Sequence, residues 1–124
     1  MEEFELTGKK EFSGDFLTGE LLEFKIGERE FKIRELKAEE YDDILSRSFK
    51  IENGKFSLDY SVRNKEWVKL CLVSAPYSLE GKAWKELTPE ERLELFQKLK
   101  APIRLKVIEQ IRMLNEPEGD FQKN

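Results

Sequence analysis

The chain has no histidine and only one cysteine, Cys71. Without histidine, the commonest general base and the commonest metal ligand are both missing. A lone cysteine can neither close an internal disulfide nor help complete a zinc site of the usual type, and it leaves a reducing cytoplasm as the favoured compartment. Cys71 also lies in an apolar run with no base to activate it, so the expectation is a buried core thiol and not a nucleophile. An excess of positive charge is lacking too. At a net charge of −4 the chain has no basic footprint for neutralising phosphates, which disfavours nucleic acid as a partner. No apolar run approaches the roughly 20 residues of a membrane span, and the sequence opens on Glu2 and Glu3, unlike a signal peptide. The expected molecule is a cytoplasmic protein with no cofactor, metal, nucleic acid or membrane partner.

What the chain does hold is charge and alternating apolar residues. At 124 residues it has the length of one domain, enough to bury about two thirds of its unfolded surface. Charged residues make up 39% of it, a balance found in the ion-pair-rich proteins of hot environments and equally in long solvated helices. No internal repeat or low-complexity tract interrupts it.

The clearest local pattern is "LLEFKIGEREFKIREL" over residues 21–36. Apolar and charged residues alternate through Leu22, Phe24 and Ile26 and again through Phe31 and Ile33, the period of strands with one buried face. A two-residue loop at Gly27-Glu28 sets Phe24 opposite Phe31 and Leu22 opposite Ile33, with Lys25 facing Glu30 and Glu23 facing Lys32 on the other side. Sliding the loop to Glu28-Arg29 puts Lys25 against Lys32, and a three-residue loop sets Ile26 against Glu30. Glycine as the first loop residue suits a type II′ turn. The stretch thus specifies a hairpin with an apolar face and an ion-paired face, and no chemistry of its own.

The first twenty residues, "MEEFELTGKKEFSGDFLTGE", have no sustained period and are expected to form a mobile arm, with a short strand at 4–6. "KAEEYDDILSRSF" places Tyr41, Ile44, Leu45 and Ser48 at helical spacing behind an acidic first turn. "FKIENGKFSL" carries Asn53-Gly54, the strongest short hairpin signal, with Ile51 opposite Phe56 and Glu52 opposite Lys55, although a tight loop is the alternative. Residues 64–75, "NKEWVKLCLVSA", predict a central buried helix through Trp67, Val68, Leu70, Cys71 and Leu72, ended by Pro76. "LTPEERLELFQKL" begins a helix with Thr88 as N-cap, Pro89 in the first turn and Glu91 completing a capping box; Leu93, Phe96 and Leu99 form its inward stripe. Pro102 separates it from a last helix whose Ile103, Val107, Ile111 and Leu114 repeat until Asn115 and Pro117. The fold class that results is α+β: an N-terminal β-hairpin packed on a mainly helical domain of three to four helices, with an arm at 1–20, a single domain at 21–115 and a frayed tail at 116–124.

The acidic pairs Glu39-Glu40, Asp42-Asp43 and Glu90-Glu91 are expected to be solvated helix faces, since a catalytic pair needs two acids in different environments within one cleft. Glu52, Asn53 and Asp59 lack the ligand alternation of a calcium loop. Lys98, Lys100, Arg104, Lys106 and Arg112 gather around Pro102 as a small phosphate patch or, given Glu94 and Glu109, as ordinary helix ion pairs. Partner-binding candidates are Trp84 in the polar stretch "EGKAWKEL", for which a lid over the core is the other reading, and Phe12 and Phe16 in the arm. Leu105, Ile108 and Met113 join them, because they make the last helix broader in apolar residues than one core stripe needs, unless all are buried against the Trp67 helix.

The order of elements, a hairpin followed by "RELKAEEYDDIL", then "LDYSVRNKEWVKLCLVSAPYS", a capped helix and a closing "VIEQIRMLN", resembles the tail assembly chaperones of long-tailed bacteriophages and prophages. Asp59, Asn64, Leu72, Val73 and Pro76 match the middle segment of that family, and Ile108, Ile111, Leu114 and Asn115 its end. The resemblance implies a non-enzymatic protein that coats the tape measure protein and helps the tail tube polymerise around it, departing before the particle is complete. In several members a frameshift adds a second domain that binds the tube subunit. It also implies protein partners only, the tape measure or tail tube protein, with self-association left open. A small regulatory or adaptor domain binding some other protein is the alternative, and an enzyme working with carboxylates and lysine alone is a third class.

Overall fold

A computed structural model describes residues 16–116. The expected strand at 4–6, Phe12 and the tail beyond Glu116 lie outside the described residues.

Strands β1 (Leu21–Ile26) and β2 (Arg29–Arg34) form the hairpin in the expected register, Leu22 opposite Ile33 and Phe24 opposite Phe31. Gly27 has φ +65° and Glu28 does not share it, the pattern of a type II′ turn. The Phe24 and Phe31 rings stack at 5.2 Å on the apolar side. On the other side Lys25 pairs with Glu30 at 3.7 Å and Lys32 with Glu23 at 3.3 Å. Exposed pairs of this kind fix register more than they add stability. The chain just before the hairpin is tied down: the amides of Thr18 and Gly19 donate to Glu35 Oε1 at 3.0 and 2.9 Å.

Helix α1 (Ala38–Ser48) turns Ile44 and Ser48 inward, and the Ser48 hydroxyl donates to the Ile44 carbonyl at 2.7 Å, so its burial leaves no unmet donor. A second hairpin follows directly, β3 (Phe49–Glu52) and β4 (Lys55–Leu58), turning through Asn53 and Gly54 at φ 53° and 76°. Two consecutive left-handed residues are what a type I′ turn requires.

The central helix departs from expectation at both ends. Helix α2 runs Tyr60–Cys71, beginning and stopping four residues before the predicted 64–75. Asp59 is its N-cap, accepting from the amides of Ser61 and Val62, which explains the earlier start. Leu72–Ser74 is not helical but forms strand β5, which pairs antiparallel with β2 and carries one extra residue between Leu72 and Ser74. The apolar run 70–73 satisfies both states by periodicity; edge pairing with β2 decides it, because β2 would otherwise present a bare row of amides.

Residues 78–83 form a further small hairpin, β6 (Ser78–Leu79) and β7 (Lys82–Ala83), around Glu80-Gly81, with φ 50° and 83°. A single 3₁₀ turn, Trp84–Glu86, leads into α3 (Pro89–Phe96), whose capping box is formed as expected: Glu91 N–H donates to Thr88 Oγ1 at 3.1 Å and Thr88 N–H to Glu91 Oε1 at 2.9 Å. Helix α4 (Ala101–Asn115) has Pro102 in its first turn, where the missing N–H costs nothing.

The core lies between the apolar face of β2 and the four helices, with α2 at its centre touching α1, α3, α4 and β5. Phe31, Ile33, Leu36, Ile44, Trp67, Val68, Cys71, Leu72, Phe96, Val107 and Ile111 fill it. Asn115 locks the end of α4 to the exit of the hairpin, accepting from the Leu36 amide at 2.7 Å and donating to the Ile111 carbonyl at 3.0 Å.

Candidate protein-binding surface

Large exposed apolar side chains sit on the second hairpin and on the outer side of α4, besides Phe16, Leu17, Leu21, Leu22 and Tyr60 elsewhere. On β3 and β4, Phe49 and Ile51 share a face by their spacing of two, and Phe56 lies directly across from Ile51. The Phe49 and Phe56 rings meet edge to face at 6.1 Å. All three are more than half exposed, Phe56 at 74%. Lys50 and Glu52 occupy the opposite face, 3.7 Å apart. The apolar side stays open to solvent, because α1 and α2, which the hairpin joins, place Ile44, Trp67, Val68 and Cys71 in the core, and only Ser57 and Leu58 of β4 are half-buried.

On α4, Leu105 is 68% exposed and Met113 is exposed two turns further on, whereas Ile108 is half-buried against the core. Leu105 and Ile108 line one side of a shallow groove of about 290 Å³, walled by Val68 of α2 and by Leu93 and Phe96 of α3, with Arg104 at its rim. The Arg104 guanidinium donates to the Leu99 carbonyl at 2.8 Å, so it stiffens the α3–α4 corner. Lys98, Lys100 and Lys106 are exposed nearby.

Trp84 takes the lid alternative. It is 3% exposed, its indole N–H donates to the Leu72 carbonyl at 3.0 Å, and its own carbonyl accepts from Arg92 at 2.9 Å. An aromatic flanked by charges in sequence has been folded inward because the β6–β7 turn reverses the chain over the core. Its ring is therefore withdrawn from any surface contact. Phe16 is exposed, and Phe12 lies outside the described residues. Of the expected partner-binding residues, only Leu105 and Ile108 are brought to one groove. The hairpin residues Phe49, Ile51 and Phe56 were not among them. The signal for these was Asn53-Gly54 joining two alternating strands with no third alternating segment beside them.

The ionisable groups serve the fold. Arg34 makes a two-pronged contact with Glu40, both arms at 3.0 Å, and this hydrogen bonding holds the Glu40 carboxyl below the usual range. Asp43 accepts from Arg47 at 2.7 Å. The Thr88 amide keeps Glu91 low in the same way. Burial pushes the Cys71 thiol up to about 12. Arg63 lies over the Tyr60 and Trp67 rings, 4.6 and 4.0 Å from their centres. Among the described residues no group of histidine, cysteine and acidic side chains is placed to hold a metal ion, and no helix is long and apolar enough to cross a membrane.

No protein-family model matches the chain, and no curated protein and no solved structure matches it either.

Proposed function

We propose that this chain is an assembly chaperone for a phage or virus-like tail, a protein without catalytic activity that holds the tape measure protein, the tail tube subunit or both during assembly. The observation that carries the reading is the pair of exposed apolar surfaces, Phe49, Ile51 and Phe56 on one hairpin and Leu105 above the groove on α4. Apolar anchors set among charges on preformed elements suit reversible capture of another protein's apolar helix. The acidic net charge keeps such a surface soluble between encounters. The likeness in element order supports the same role, and its matching residues have structural work, Asp59 capping α2 and Asn115 latching α4.

The test is to translate the genes on both sides of this one and co-express their products with it. A tube-protein gene upstream and a very long helical reading frame downstream are expected, with the long helical product co-purifying. The doubly substituted variant Phe56→Ser with Leu105→Glu should weaken that capture at least tenfold while remaining folded. Placement among metabolic or regulatory genes, with a one-to-one complex to a globular protein, would replace this reading with that of an adaptor domain.

A further inference from the structure

The β3–β4 hairpin leaves one strand edge open. A two-stranded ribbon is marginal in water unless further strands or a packed face support it. β4 merges into the body, its Ser57 and Leu58 half-buried, whereas Phe49, Lys50, Ile51 and Glu52 of β3 are all exposed. The two-residue turn at Asn53-Gly54 makes Glu52 and Lys55 the pair bonded across it, and antiparallel ladders alternate bonded and non-bonded pairs. Ile51 and Phe56 are therefore a non-bonded pair, and the N–H and C=O of Ile51 point away from β4, outward along the free edge.

We infer that β3 pairs antiparallel with β3 of a second copy of this chain, about a two-fold axis through Ile51. Two Ile51 residues then exchange both of their outward hydrogen bonds. The same register sets Lys50 of each copy opposite Glu52 of the other, giving two reciprocal charge pairs on the polar face. It also brings Ile51 against Ile51 on the apolar face. Competing registers are worse matched in charge. An axis through Lys50 lets Phe49 and Ile51 exchange bonds but sets the two lysines directly opposite each other with no carboxylate between them, and shifts by an odd number of residues put apolar side chains opposite charged ones. Pairing through β4 meets the half-buried Ser57 and Leu58. The charges that would guard an ordinary edge strand are thus self-complementary in one arrangement. The product is a closed four-stranded sheet whose apolar side joins Phe49, Ile51 and Phe56 from both copies. The pairing does not depend on what other protein the chain binds.

The experiment is sedimentation equilibrium of the full chain over a wide concentration range, with three variants. Ile51→Pro removes the outward N–H at an edge position where proline leaves the β3–β4 ladder intact, so it should keep the monomer's circular dichroism and melt. It should raise the dimer dissociation constant about thirtyfold, since each dimer loses two central bonds. Lys50→Glu and Glu52→Lys should each weaken the dimer alone and restore it when the two variants are mixed, because each then meets opposite charge. As an affinity-independent check, Ile51→Cys should oxidise to a disulfide-linked dimer, its expected Cα separation of about 5.5 Å being within disulfide reach, while Lys55→Cys on the opposite strand should not. A monomer at all concentrations without cross-linking at position 51 would overturn the inference. So would a dimer indifferent to Ile51→Pro and to the charge variants, or equal cross-linking at positions 51 and 55.

Discussion

Asn115 shows how one side chain acquires a role that its neighbours in sequence do not announce. Read locally, it stops a helix. Folded, it accepts the Leu36 amide from 79 positions away while donating to Ile111 one turn back, joining the end of α4 to the sheet. Asn115→Ala should lower unfolding free energy by about 1–3 kcal/mol, the cost of leaving a part-buried amide unmet. Asn115→Asp should cost less, because the acceptor is retained; urea denaturation of the two variants checks the order. Trp84 makes the same point in reverse: its polar stretch of sequence allowed an interface anchor or a lid over the core, and its one donor found the Leu72 carbonyl with the ring inside.

Among the elements, those with complete local signals were legible. The first hairpin carried its register in complementary cross-strand pairs, and α3 carried N-cap, first-turn proline and capping box within four residues. The boundary between α2 and β5 was not legible, since Leu70 to Val73 suit helix and strand alike and the choice belongs to β2. The contact between β2 and α1 makes a further prediction. Glu40 is held below the ordinary glutamate value by Arg34, so the bridge contributes fully above about pH 4.3 and fades as the pH falls through the lower folded value. As the pH falls below about 4.3, stability should therefore drop by roughly 1 kcal/mol more in the wild-type chain than in Glu40→Gln, allowing for solvent screening. Urea midpoints at pH 6 and pH 3 measure this, and equal losses in both proteins would assign the acid sensitivity elsewhere.

At the level of the whole molecule, apolar residues divide into those that hold the fold and those that it displays. Phe96 is buried between α2 and α4, while Phe56 stands on an open hairpin, though both belong to periodic stretches of similar composition. Phe96→Ala should cost about 3–5 kcal/mol through lost burial and the cavity left behind. Phe56→Ser should change stability by less than about 1 kcal/mol. Thermal melts of the two variants test the division, and a large loss in Phe56→Ser would mean that its ring supports the monomer.

The sequence by itself determined the α+β class, the registers of the first two hairpins, the capping box of α3 and the burial of Cys71, because each rests on residues a few positions apart whose sterics and charges act locally. Tertiary structure alone decided that Leu72–Ser74 is a strand, that Trp84 is core, that Asn115 is a latch and that β3 keeps a free edge. Those outcomes depend on which backbone edges and apolar faces have already found partners elsewhere in the fold, a competition over the whole chain that no short window contains.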